Sequence, residues 1–319
     1  MSPYRLTDPA VLTAAVEAVL AGTPADTAAA DAAINLAEVK AAIETYRTGG
    51  QTALHHAYDL AWFSARLTPA DWDQAEGAFR EQIGPRLDLL DGGNAAWWFL
   101  RKHPHWRVRI RTANRSAAKN TLDELAAAGT ITAWEPGAIY EPELAAFGGH
   151  TAMDIVHELF CADSRSLLAY VAQDPLPLGR RELSILLIRA LQQHAGLDWY
   201  EAADVFDRVA RMRPQPATSD LTRTERLADK LRPLLGLPAE AHSALFDATG
   251  ALASASSWHD AYAKAGNQLA EAANTARLGR GLRATIAHAV IFAWNRLDLT
   301  APAQGVLARA AATAILPGS

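Results

Sequence analysis

The run Trp97-Trp98-Phe99-Leu100-Arg101-Lys102-His103-Pro104-His105-Trp106-Arg107-Val108-Arg109-Ile110-Arg111 decides the fold. Two apolar, aromatic-rich segments separated by a His-Pro turn read as paired strands. The second segment alternates strictly. Side chains alternate across a strand, so Trp106, Val108 and Ile110 face one way and Arg107, Arg109 and Arg111 the other, about 7 Å apart in succession. Three guanidiniums on one sheet face repel one another, and acids, solvent or an anionic ligand must partner them. The planar fork of arginine suits carboxylate or phosphate. A solvent-facing strand whose charges pair with acids from a helix accounts for the pattern equally well.

Outward from this hairpin, strands and helices continue to alternate. Leu60 to Leu67 is aromatic and apolar enough for a strand, Thr68-Pro69 predicts the start of a helix reaching about Leu87, and Gly92-Gly93 precedes the strand that begins at Ala95. After Arg111, Ser116 is expected to cap a helix to Ala128, Gly129 to end it, and Ile131 to Tyr140 to run extended. The order strand-helix-strand-strand-helix-strand predicts an α+β fold, a ferredoxin-like antiparallel sheet core over residues 60–140 with extensive surrounding helices. Beyond Tyr140 the chain reads as helices, broken or capped near Gly148-Gly149, Asp163-Ser164, Pro175 to Gly179, Gly196, Gly236, Gly250, Gly279 and Pro302. Asp163 reads as the N-cap of a helix to Ala172. Pro214 to Ser219 reads as an exposed, linker-like loop.

Residues 1–58 form a separate helical segment, and residues 59–319 the α+β domain. Asp8 caps and Pro9 opens a first helix with Val11, Leu12, Ala15, Val16, Val19 and Leu20 at helical spacing, stopped by Gly22. Thr23-Pro24 opens a second helix, and Asn35 caps a third that runs to about Arg47 and ends at Gly49-Gly50. Such helices resemble a DNA-binding helix-turn-helix. The charges disagree, since residues 1–50 hold Arg5, Lys40 and Arg47 against Asp8, Glu17, Asp26, Asp31, Glu38 and Glu44. A recognition helix needs basic or amide side chains for phosphates and base edges. Packing or peptide docking is the expected role.

Composition narrows the function classes. The 319 residues are 50% hydrophobic and 20% charged, as in a soluble globular chain. The lone Cys161 excludes an intrachain disulfide scaffold and fits a reducing cytoplasm. A net charge of −5 and a pI near 6.1 argue against gripping nucleic acid, which takes a basic surplus. Glu17, Asp26 and Asp31 interrupt the N-terminal apolar stretch, and no run is long enough to span a bilayer, so a cytoplasmic protein without membrane attachment is expected.

Two further stretches carry chemistry-bearing residues. In Tyr140-Glu141-Pro142-Glu143 the paired carboxylates answer the arginines, serve as acid and base, or open a helix whose dipole favours them. Between Ala287 and Arg296, His288 and Asn295 share a helix face, with Arg296 about 80° around from His288. These three either lock the helix to the sheet as a satisfied network or face a substrate and move protons. His103 and His105 lack a third ligand, so no metal is expected. No phosphate-loop lysine, nucleophile elbow or dinucleotide glycine pattern occurs, and no nucleotide or redox cofactor is expected either.

In order along the chain, His105-x-Arg107-x-Arg109, Tyr140-Glu141-Pro142-Glu143 with Phe147-Gly148-Gly149, Phe160-Cys161-Ala162-Asp163-Ser164, and Trp294-Asn295-Arg296 resemble the C-terminal domain of lantibiotic dehydratases. The stand-alone form of that domain is called thiopeptide-type bacteriocin biosynthesis protein. Ala21-Gly22-Thr23-Pro24 and Tyr46-Arg47-Thr48-Gly49-Gly50 are similar to the opening of the stand-alone members.

The resemblance implies an enzyme that matures a ribosomally made peptide. Some members eliminate glutamate from glutamylated Ser or Thr to leave dehydroamino acids. Others, the thiopeptide pyridine synthases, join two dehydroalanines of one peptide by a formal four-plus-two cycloaddition, then lose water and the leader to leave a pyridine in a macrocycle. Eliminating members usually carry a His before the Asn-Arg pair and an Arg before the aromatic residue and Gly-Gly, where this chain has Ala293 and Ala146. Elimination needs a base for the α-proton and a cation or acid for the leaving group. Losing both side chains favours the pyridine synthase, a lyase and cyclase acting on a dehydrated precursor, with His288 or His105 as stand-in bases keeping elimination open. A non-catalytic leader-binding protein is the further alternative. His288, Asn295 and Tyr140 are the expected catalytic residues, and Arg107, Arg109, Arg111, Trp97, Glu141 and Arg296 the expected substrate-binding ones. The expected partners are the precursor peptide, leader plus core, and other maturation enzymes of the same pathway, with the leader docking on residues 1–58.

Overall fold

The computed structural model describes residues 7–137, 140–214 and 218–316, so Ile139 and the centre of the loop expected at 214–219 lie outside it. The chain divides into two compact units, Met1–Leu60 and Ala61–Ser319. In the first, α1 (Pro9–Leu20), α2 (Ala25–Asp31) and α3 (Leu36–Leu60) close a small core of Ala15, Val16, Ala29, Val39 and Ile43. Asp8 caps α1 through the amide of Ala10 at 2.9 Å, as its position before Pro9 predicts. α3 does not stop at Gly49-Gly50. It runs on to Leu60, with the hydroxyls of Thr48 and Thr52 bonded back to the carbonyls of Glu44 and Thr48. A mid-helix glycine costs about 1 kcal/mol relative to alanine, which weakens a helix without forbidding it.

The second unit is built on β1 (Trp62–Pro69), β2 (Ala96–Lys102), β3 (His105–Arg111) and β4 (Ile131–Pro136). They lie in the order β2-β3-β1-β4 with every neighbouring pair antiparallel. The fold is α+β. β1 and β2 are joined by α4 (Ala75–Ala78), a π turn (Phe79–Ile83) and α5 (Gly84–Asp88). Thr68 and Pro69 do not open this helical stretch, because they still pair with Ala133 and Ile131 of β4. Between β3 and β4 runs α6 (Arg115–Ala127), capped by Asn114 through the amide of Ala117 at 2.9 Å; the side chain of Ser116 already lies inside the helix.

The remaining helices are α7 (Leu144–Phe147), α8 (His150–Tyr170), α9 (Arg180–His194), α10 (Trp199–Arg211), α11 (Thr218–Leu235), α12 (Ala239–Ala244), α13 (Ser256–Asn274), α14 (Leu282–Arg296) and α15 (Ala301–Ile315). Gly196, Gly236, Gly250 and Gly279 fall between helices, as expected. Asp163 and Ser164 do not interrupt α8, whose apolar face continues from Met153, Val156 and Phe160 to Leu167, all buried. The Asp163 carboxylate is instead drawn inward: it accepts from Trp258 Nε1 at 2.6 Å and Tyr262 OH at 2.7 Å, and pairs with Arg296 Nε. Ser164 Oγ accepts the amide of Phe99 at 3.2 Å, so α8 covers the free edge of β2 and satisfies one of its donors. One continuous core runs from the sheet to α15. Among the described residues no helix is long and apolar enough to cross a membrane.

Candidate functional site

Residues paired in register share a sheet face. One face therefore carries Arg107, Arg109 and Arg111 of β3 with Trp62, Ser64 and Arg66 of β1, Trp98 and Leu100 of β2, and Glu135 of β4. The other buries Val108 and Ile110, together with Trp97, Phe99 and Trp106, which all pack on Phe79. The alternation read from the sequence is thus realised residue by residue in β3.

The arginine face is partly roofed. Trp98 packs on Phe160 of α8, with ring centroids 5.1 Å apart, and on Phe292 of α14 at 6.3 Å. Where the roof ends, a cavity of about 210 Å³ is lined by Arg66, Arg107, Arg109, Gly137, Tyr140, Glu141 and Glu143. Gly137 makes this closure possible. A Cβ there would stand 2.7 Å from Ser64 Cβ, and its amide bonds the Ser64 carbonyl at 2.8 Å, so the chain leaving β4 crosses tightly over β1.

Electrostatics in the cavity follow from this crowding. The Arg109 guanidinium stands 5.3 Å over the Tyr140 ring and 5.8 Å over Trp98, held between aromatic faces. Burial lowers its pKa from the usual arginine value, opposed by Tyr140 and Glu143, yet an arginine remains charged. Glu143 reaches solvent, but desolvation on its protein side raises its carboxyl above the ordinary range while Arg109 pulls it back. Arg66 and Arg107 face each other across β1 and β3, and Glu135 faces Arg66 from β4.

Beneath the cavity, Tyr140 OH and His157 Nε2 of α8 are 2.7 Å apart. His157 is 2% exposed, its ring 4.9 Å from Trp62. Burial, with a smaller push from Arg111, depresses its pKa to about 3, so the imidazole is neutral at ordinary pH. A phenol and a neutral imidazole in contact share one hydrogen bond without a buried charge, and the imidazole tautomer fixes which of them donates.

Four predicted site residues, Arg107, Arg109, Tyr140 and Glu141, line one cavity. Arg111 lies on the same face with its guanidinium 5.6 Å over Trp62. The other predicted residues stand apart from the cavity lining. His288 bonds the carbonyl of Ala284 at 3.1 Å through Nδ1 and packs edge-on against Phe147. Burial lowers its pKa, the Ala284 bond opposing. Asn295 Oδ1 accepts from Lys102 Nζ at 3.3 Å and Gln304 Nε2 at 3.0 Å. Trp97 is on the opposite sheet face, 1% exposed, with its Nε1 on Asp88. Arg296 is wholly buried and its charge is committed to Asp163. His105 Nδ1 meets Thr68 Oγ1 at 3.1 Å and His103 packs on Trp72, while among the described residues no three His, Cys, Asp or Glu side chains converge as a metal site requires.

His157 and Arg66 were not legible as site residues. Arg66 had a signal in the alternation Trp62, Ser64, Arg66, which puts it on the face of Trp62. His157 had a weaker one, a single imidazole three residues before Phe160 on an otherwise apolar helix face.

Residues 62–315 match the family described as Lantibiotic biosynthesis dehydratase C-term. The chain belongs to that family. The match opens on the first residue of β1 and closes on the last of α15, so it takes in the sheet, its roof and the cavity, and leaves out α1 to α3. A tRNA-dependent lantibiotic dehydratase, MibB from Microbispora sp. 107891, has a similar fold at a TM-score of 0.50 and 21% identity. The similarity covers 79% of this chain and 27% of MibB, so this member spans about a quarter of that protein's length. No curated protein matches the chain by sequence.

Proposed function

We propose that this member of the lantibiotic biosynthesis dehydratase C-terminal family is a pyridine synthase, joining two dehydroalanines of a ribosomally made peptide and releasing its leader. The observation that carries the reading is Tyr140 in the cavity lining, its hydroxyl paired with a buried imidazole that stays neutral. Formation of the azadiene requires an amide to become its iminol, which takes one proton from nitrogen and puts one on oxygen. The Tyr140 hydroxyl, held by His157, gives its proton to the amide oxygen as its own oxygen takes the proton from nitrogen, so neither group ends charged. A base with a pKa near 3 is poorly suited to removing a Cα proton at neutral pH. Arg107 and Arg109 bind the substrate's carbonyls, and orienting diene and dienophile supplies much of the rate. Residues 1–58 hold the leader.

Glu143 favours a second reading. Its raised carboxyl pKa suits a general base, and the arginines suit a departing glutamate, which together describe elimination. The two readings separate when the protein is offered one peptide glutamylated on serine and another already bearing two dehydroalanines, with masses followed over time. Cyclisation of the second, with a free leader fragment, is the expected outcome. Loss of glutamate from the first with the second untouched transfers the assignment to elimination, and no change in either leaves a leader-binding protein.

A further inference from the structure

Away from the cavity, α11 presents Thr222, Arg223, Arg226 and Lys230 to solvent above Leu227, and Arg181 at the start of α9 completes a groove of about 300 Å³. Positions 223, 226 and 230 are three and four residues apart, so their side chains form one row of about 10 Å along the helix. Like charges in such a row repel, and among the described residues none of the three forms an ion pair. Asp229 pairs with Arg232 at 2.9 Å and Glu182 with Arg181 at 2.5 Å, while Glu225, on the same helix, pairs with none of the three. On the neighbouring α10, by contrast, Arg208 and Arg211 are answered by Asp204 and Asp207. In a chain of net charge −5, three cations in a row with no ion pair among the described residues are a local departure.

We propose that this groove binds an extended acidic segment of the peptide substrate. The identity of the ligand as a peptide rests on the function proposed above; the site itself does not. Alternate side chains of an extended peptide repeat about every 7 Å, so two carboxylates on one side of the peptide fit within the row of about 10 Å and the reach of its long side chains. Arginine forks take carboxylates in bidentate fashion, and Leu227 gives the intervening residue an apolar contact. A long nucleic acid needs a wider basic surface than four cations on an acidic protein provide.

Fluorescence anisotropy with the full chain and a labelled peptide of about ten residues bearing glutamate at alternate positions tests the groove directly. Binding is expected to weaken about tenfold or more in R223E/R226E, and to fall steeply with salt because both partners are exposed. The glutamine counterpart of the peptide should not bind. R223Q/R226Q, which removes charge without reversing it, should lie between, and thermal melts establish that both variants are folded. Equal affinity of wild type and variants, or tighter binding of an RNA oligonucleotide or inorganic phosphate than of the acidic peptide, overturns the proposal. The measurement involves no chemistry, so binding without cyclisation counts against the function alone, and cyclisation without groove binding counts against the groove alone.

Discussion

Tyr140 and Asp163 are the two residues whose surroundings determine most. Tyr140→Phe keeps the ring against Trp62 and Trp98 and removes only the hydroxyl that meets His157. Single-turnover cyclisation is expected to slow by about 100-fold or more, the usual scale for losing an acid–base group, while peptide affinity by titration stays close to wild type. A rate equal to wild type removes Tyr140 from the mechanism. Asp163 sits at 2% exposure between Trp258, Tyr262 and Arg296, the last wholly buried. Asp163→Asn leaves the Arg296 charge without a counterion in the interior, and urea unfolding should show a loss of about 3–5 kcal/mol. The exposed pair Lys264 and Glu158 gives the contrast: Glu158→Gln should cost less than about 1 kcal/mol, since water screens both groups.

Elements differ in how much they demand of single positions. Gly49 and Gly50 lie inside α3, and a Cβ added at either would meet no atom within 4 Å, so Gly49→Ala and Gly50→Ala should each stabilise the helix by about 1 kcal/mol, raising the melting temperature. Gly148, between α7 and α8, is the opposite case. Its φ is +83°, and a Cβ would stand 2.9 Å from the backbone nitrogen of Arg280, while its carbonyl accepts the amide of Gly279 at 2.7 Å. Gly148→Ala should therefore lower the melting temperature and shift the junction that holds α14 beside α7. The sheet shows the same economy at its β2 edge, where Ser164 of α8 takes the amide of Phe99 and the edge is covered rather than left to pair with another chain.

At the scale of the whole molecule, two buried histidines make stability depend on pH. His157, beside Tyr140, is depressed to about 3, and His242, 1% exposed with Nε2 on the Leu186 carbonyl, to about 4, in both cases mainly by burial. Each takes up a proton in the unfolded chain near pH 6.5 but not in the fold, so the unfolded state binds more protons below that pH. Their contribution is complete above about 6.5 and declines as pH falls through about 4 and about 3. Urea midpoints measured from neutral pH downward should fall accordingly, with a shallower decline in His242→Gln. A flat profile in the wild type contradicts the burial of both rings.

Local order was legible because it depends on neighbours in the chain. The strict alternation of His105 to Arg111, the His-Pro turn and the glycines between helices are set by residues within a few positions of one another, and each appears in the structure where the sequence puts it. The family was legible for a related reason, since its short motifs lie in a fixed order. Where a local signal competed with a distant one, the distant one prevailed. Asp163 has the chemistry of a helix cap, yet partners 95, 99 and 133 residues away draw it into the core. Trp97 and Trp98 are adjacent and equally aromatic, but strand register with β3 sends one under the sheet and the other to the arginine face. Only the packing of α8 beneath the chain leaving β4 brings His157 to Tyr140, and no spacing along the sequence encodes that meeting, because burial free energy is gained between surfaces and not between neighbours.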